Sequence, residues 1–423
     1  MGGFVGTVLL PLARTPSGMD GWQRGPLPLA LPGGVVTNEE ARSTYFDQRA
    51  GGVIYGQRRH CDRRWCNADQ HVEGPFHLVA LEWLGLPEHS STAGILIVHL
   101  QADVEEVTTF LNAWSALVRW KLDNTGHAAL LEAVSAAADS DVAVVAMHRE
   151  PFRVAFLSRQ PDDALQPFTS STLDPESQWL LALASAITPG SFSPSNEQNT
   201  EFTAARVPFS SDWSAMVLRD GASFVGHADV NPGFIEEHAP VYVRTIYTDA
   251  LLVGVLQQLA LADLSDRLAA LEDPARHPRG VERLDAEFSR FRNRLWWQHL
   301  TQHGLGNQLL IAYQRQHRLV ELMEQTKSEL DDYSRQTSLR SSRVLNVVVA
   351  VFALVGTLSV AVDLYQLFNP PPITPARPTI VWSLAVLGLV LVLVVAYPLG
   401  GVSRWMPRRR RPYTPGRRRR KTC

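Results

Sequence analysis

Cysteine is scarce in this chain, with three in 423 residues. That is too few for a disulfide scaffold and fits a reducing compartment. Catalytic signatures are missing as well. There is no Gly-x-x-x-x-Gly-Lys phosphate loop, no Gly-x-Ser-x-Gly elbow and no His-Glu-x-x-His pair. The thirteen histidines are scattered, so nothing predicts an enzyme or a resident cofactor. Nor is an export signal expected in the first residues. Residues 2–13 are apolar, but they have no basic start and contain Pro11, so Phe4 to Leu10 reads as a first strand. Charge is nearly absent from two stretches near the C-terminus. Residues 344–368 hold only Asp363, and residues 380–397 hold no charge at all. A helix needs about 20 apolar residues to cross a bilayer. These absences together predict a membrane protein anchored by a C-terminal helical hairpin.

What charge there is has been partitioned. The net charge of −2 combines ten basic and no acidic residues from Arg404 onward with −12 on the residues before it. The clusters Arg408, Arg409, Arg410, Arg411 and Arg417, Arg418, Arg419, Arg420 follow the second apolar run. Basic clusters beside a membrane helix bind anionic lipid headgroups, at about 1 kcal/mol per residue. Apart from Tyr413 no aromatic or glycine pattern accompanies them, and no nucleic-acid partner is expected. Trp382, Tyr397 and Trp405 sit where interfacial aromatic belts belong. Lys327, Arg335, Arg340 and Arg343 precede the first run, whereas the connecting loop carries only Arg377. The positive-inside rule then places both termini in the cytoplasm and the loop outside the plasma (inner) membrane, with two passes between.

The expected fold class is an α+β cytosolic domain, a long helical stalk and a two-helix transmembrane hairpin. Its boundaries are 1–240 for the α/β domain, 241–343 for the helical bundle and stalk, 344–368 and 380–398 for the membrane helices, 369–379 for the outer loop, and 399–423 for the basic tail. Strand-like runs occur at 94–100, 142–147 and 152–157, and residues 216–226 form a hairpin signal about Asp220-Gly221. Helical spacing occurs at 103–120, 127–138 and 175–187; in the first, Val107, Phe110, Leu111, Trp114 and Val118 make one apolar face. Residues 15–38 and 188–200 read as loops. From residue 241 strand signals vanish. Helices are predicted over 241–271 and 281–300, followed by a third helix starting at Asn307 with no proline or glycine before Gly356. Leu309, Tyr313, Val320, Met323 and Leu330 follow a 4-3 spacing, which suits either packing against identical chains or a bundle within one chain.

This order of a cytosolic α/β body, helical bundle, stalk entering the first membrane helix, short outer loop, second membrane helix and basic tail resembles the CorA-like magnesium-transporter superfamily. The likeness is carried by the last 120 or so residues, where 307–343 lead into 344–368. It implies a homo-oligomer, a pentameric funnel in that family, with the first membrane helix lining a central pore for ions. The family's Gly-Met-Asn motif is absent. The corresponding stretch is Tyr365-Gln366-Leu367-Phe368-Asn369-Pro370, which keeps an asparagine only. The chain is thus a divergent relative, for which ion conduction and a non-conducting role as a membrane-anchored sensor, adaptor or defence-system effector are both expectations.

Wound at about 100° per residue, Asn346, Ala350, Ala353, Thr357, Val360 and Leu364 fall within roughly 40° of one line on the first membrane helix. This stripe of small and polar residues either faces a pore or lets helices pack closely. The pore-lining candidates are Asn346, Ala353, Thr357, Val360, Asp363 and Asn369. A divalent cation, transported or regulatory, is the one ion the resemblance implies; Glu321, Glu324, Glu329, Asp331 and Asp332 on the stalk are either its oxygen ligands or a solvated face. His60-Cys61-x4-Cys66-x4-His71 has a superficial zinc spacing, but Arg58, Arg59, Arg63 and Arg64 surround it. Those arginines suit an anion- or nucleotide-binding patch or an exposed basic loop better than a cation site, and no metal site is expected.

Overall fold

The computed structural model describes residues 2–55, 62–86, 92–104, 106–118, 128–140, 142, 150–159, 173–188, 190–271 and 277–368. The chain divides into two compact units, one of residues 1–272 with 279–330 and the other of 273–278 with 331–423. The first is an α+β domain, as expected.

Its centre is a nine-stranded sheet in the order β2-β3-β4-β5-β1-β6-β9-β8-β7. The strands are β1 (Gly2–Leu12), β2 (Gln23–Arg24), β3 (Arg63–His71), β4 (Phe76–Gly85), β5 (Gly94–Val104), β6 (Phe152–Arg159), β7 (Arg206–Val207), β8 (Trp213–Val217) and β9 (Gly221–His227). All neighbours run antiparallel except β6 and β9. The N-terminal run predicted as a strand is the middle one, buried by β5 and β6 on its two sides. The Asp220-Gly221 signal is the β8–β9 hairpin. Both outer strands have only two residues, which leaves little free edge for another chain to pair with.

Alternation along the strands sorts side chains to two faces. One face buries Phe4 of β1, Phe76 of β4 and Val98 of β5 in a core shared with the helices Val107–Val118, Ala128–Ala138 and Pro175–Ser185. Phe4 lies 4.7 Å from Phe110 and 5.1 Å from Trp114, ring centre to ring centre. Against the other face lies the helix Phe234–Ala269, which is 36 residues long and apolar enough to cross a membrane by length and composition. Of its most apolar stretch 83% is buried inside the domain, so it serves as a core helix. A helix apolar all round is what a position between two layers demands. It begins earlier than the predicted residue 241 and contains two π-helical stretches, Phe234–His238 and Val243–Tyr247.

Three further helices complete the helical part. Pro278–Arg294 lays Val281, Leu284, Phe288 and Phe291 inward. Gly304–Gln316 packs Tyr313 against Gly254 of the core helix so closely that a Cβ there would sit 2.5 Å from the ring. The third is Leu319–Phe368. The unbroken helix expected from Asn307 is therefore two helices. They part at His317-Arg318, where Arg318 takes a left-handed φ of 51° without any proline or glycine. Asn307 does not cap the helix; its Oδ1 accepts from the backbone N–H of Leu300 and Thr301 in the preceding loop. Leu309, Tyr313, Met323 and Leu330 are buried within this domain, while Val320 is 38% exposed, so the 4-3 spacing serves packing inside one chain.

The second unit contains the helix from Asp331 onward. Asp331, Asp332, Arg335 and Gln336 are exposed on it. Beyond them the surface becomes apolar.

Candidate functional site

From Leu345 the helix exposes Leu345, Val347, Val349, Phe352, Leu354, Val355, Val360, Leu364 and Phe368, each between 44% and 74%. At about 100° per residue they surround the helix with no gap wider than about 80°. The stretch is about 36 Å long at 1.5 Å per residue. Of the pore-lining candidates, Asn346, Ala353, Thr357 and Val360 are exposed on this helix, and Asp363 falls within its span. Thr357 donates its hydroxyl to the Ala353 carbonyl at 2.7 Å. Asn369, the outer loop, the second apolar run with its aromatic flanks, and Arg408 to Arg411 and Arg417 to Arg420 lie outside the described residues. The stalk acids are not gathered into a cluster that could hold a metal among the described residues. Glu321 pairs with Arg318 at 3.9 Å and Glu329 accepts from Gln325 at 2.9 Å.

The first unit holds charge where sequence reasoning placed none. Asp249, on the core helix, accepts from Arg63 Nη2 at 2.8 Å, Arg42 Nη1 at 3.1 Å and the Tyr55 hydroxyl at 2.9 Å. Arg63 also donates through Nε to Glu82 at 2.8 Å. The other Glu82 oxygen meets His99 Nε2 at 2.8 Å. Arg42 also donates through Nε to the Thr37 carbonyl and through Nη2 to the Leu27 carbonyl. All these side chains are buried. Two guanidinium groups and two carboxylates cancel, which is what allows ions to persist without water. Burial alone would raise the Glu82 carboxyl, but Arg63 and the hydrogen bond from His99 outweigh it and hold the group well below the usual carboxylate range. Burial pushes His99 down, against the pull of Glu82. The network ties the segment 27–55, strands β3 to β5 and the core helix into one arrangement.

Arg63 therefore does not belong to an exposed basic loop, as the arginine-rich surroundings suggested. It opens β3 and points inward. Cys66 and His71 of the supposed zinc spacing also lie in β3. Burial pushes the Cys66 thiol up to about 11. Arg58, Arg59, His60 and Cys61 lie outside the described residues.

On the sheet's opposite face, Arg24 of β2 pairs directly with Arg64 of β3, and Arg64 pairs in turn with Trp83 of β4. They border a polar cleft of about 900 Å³, whose lining also includes Asp20, Glu39 and Tyr55. Arg64 donates to Asp62 at 2.8 Å. The sequence pattern marked the β3 side of this cleft, through Arg63 and Arg64 of the arginines suited to an anion- or nucleotide-binding patch, but not its β2 side, because that two-residue strand lies inside a stretch rich in proline and glycine.

No family model matches the chain, and neither a curated protein nor a solved structure gives a match.

Proposed function

We propose that this chain is an integral membrane protein, with its helix from Leu345 crossing the bilayer and the α+β domain and both termini on the cytosolic side of the plasma membrane. The observation that carries this reading is the ring of large apolar side chains exposed on every side of that helix. In water such a surface would aggregate, and only lipid or other apolar helices can cover it all round. The uncharged run 380–397 supplies a second pass, and the arginine tail holds to anionic headgroups.

The activity that fits this build is ion passage through a CorA-like homo-oligomer, with a divalent cation as the first ion to try. Asn346, Ala353, Thr357 and Val360 would line the path. One helix carries both Leu319, Met323 and Leu330, buried in the domain, and the apolar ring, so a movement of the domain has a continuous element to act on. The test is cation flux into liposomes containing the purified protein. Flux that falls at least tenfold in a variant with Asn346 and Thr357 replaced by leucine supports conduction. A protein that stays in the liposomes and passes no cation refutes it. One observation favours a non-conducting tether instead. The Thr357 hydroxyl is already used on its own helix, which is how a packed rather than ion-contacting threonine behaves.

A further inference from the structure

We propose that the cleft beside β2 and β3 binds a phosphate ester of nucleotide size, clamped between Arg24 and Arg64. The inference goes beyond the membrane reading and does not depend on it. Directly opposed residues of an antiparallel pair share a face, with Cβ atoms about 5 Å apart, and like charges there destabilise the pair. Arg24 and Arg64 occupy such a position. Arg64 is offset by Asp62. Arg24 is exposed and has no acid partner among the described residues. Arg64 already donates through Nε to Asp62 and through Nη1 to the Met19 carbonyl, so Arg24 and the remaining N–H groups of Arg64 are the donors on this lining that a phosphate matches.

The rest of the lining sets the size and character of the ligand. A volume of about 900 Å³ far exceeds a phosphate ion and accommodates an ester with a sizeable body. Asp20, Glu39 and Asp62 on the same lining accept hydrogen bonds and repel a second anionic group, so the body should carry hydroxyl or amino donors. A nucleoside monophosphate and a sugar phosphate share this chemistry. Two glycines let the backbone make the cleft. Gly18 and Gly25 adopt φ of 84° and 93°, and a Cβ on Gly18 would lie 2.8 Å from the Asp139 carbonyl. Tyr55 connects the cleft to the buried network through Asp249, so occupancy bears on the same residues that order segment 27–55.

The test is calorimetric titration of the full chain in detergent with AMP, glucose 6-phosphate, inorganic phosphate and adenosine. AMP or glucose 6-phosphate should bind, and whichever binds tighter identifies the body. Arg24→Gln and Arg64→Gln should each weaken that binding about tenfold or more, the usual consequence of losing a charged hydrogen-bonding partner. Because Arg24 is exposed, its variant should unfold at a temperature no lower than the parent when no ligand is present. Failure of both esters to bind at millimolar concentration overturns the proposal. So does tighter binding of adenosine or of inorganic phosphate than of either ester, or an affinity unchanged in Arg24→Gln. None of these results alters how the chain partitions into membranes, so the two proposals fail separately.

Discussion

Asp249 and Arg63 lie 186 residues apart in sequence, yet their side chains meet at 2.8 Å with no access to water. One belongs to the core helix and the other to the first position of β3. Their contact, extended by Arg42, Glu82 and Tyr55, holds the N-terminal segment, the sheet and the helix in register.

Replacing Asp249 by alanine should therefore be costly. It leaves Arg42 and Arg63 buried with only Glu82 to balance them, and breaking a buried pair in this way costs about 3–5 kcal/mol. Chemical unfolding of the detergent-solubilised chain measures it. A loss below about 1 kcal/mol, the size of an exposed pair, would mean that the network does not hold these elements.

The pH dependence of stability should show two successive windows. Burial, with Arg219 adding to it, pushes His317 down to about 4. The unfolded state then binds the extra proton first, so stability is full above the ordinary histidine value of 6.5 and falls as pH drops toward 4. Glu176 is lowered to about 2, chiefly by His227, whose Nε2 lies 2.7 Å from its Oε1. Its contribution is present above the ordinary value of 4.5 and is lost as pH falls toward 2. Thermal unfolding across pH should lose slope in the upper window in His317→Asn and in the lower window in Glu176→Gln. Parallel profiles for parent and variants would contradict this.

Gly254→Ala probes the contact between the core helix and the helix Gly304–Gln316. On an isolated helix alanine would be the better residue by up to about 1 kcal/mol. Here the added Cβ meets the Tyr313 ring at 2.5 Å, so the change should destabilise by about 1–3 kcal/mol. The sign of the shift in unfolding midpoint decides between packing and propensity, and Tyr313→Leu combined with Gly254→Ala should recover part of the loss.

The elements that composition and period announce were the legible ones. β1, β5 and β6 are dense in β-branched and large apolar residues, and Asp220-Gly221 names its turn. The core helix and the apolar stretch from Leu345 are both conspicuous, but the sequence distinguishes them only by context: one has two packed layers around it, and the other lies bare. β3 and β4 escaped notice because Arg63 and Glu82 occupy inward positions that a two-residue period assigns to apolar side chains. Their burial depends on Asp249, a partner no local pattern reveals. The break at Arg318 was invisible for a similar reason. A left-handed arginine carries no signature of its own. The arginine pair across β2 and β3 needed the register, which a two-residue strand cannot announce.

The central claim is that the apolar ring from Leu345 to Phe368 lies in lipid. Alkaline extraction of membranes from cells making the full chain tests it most directly. A chain held in lipid stays in the membrane pellet at high pH and enters solution only with detergent. Recovery of the chain in the alkaline supernatant would contradict it.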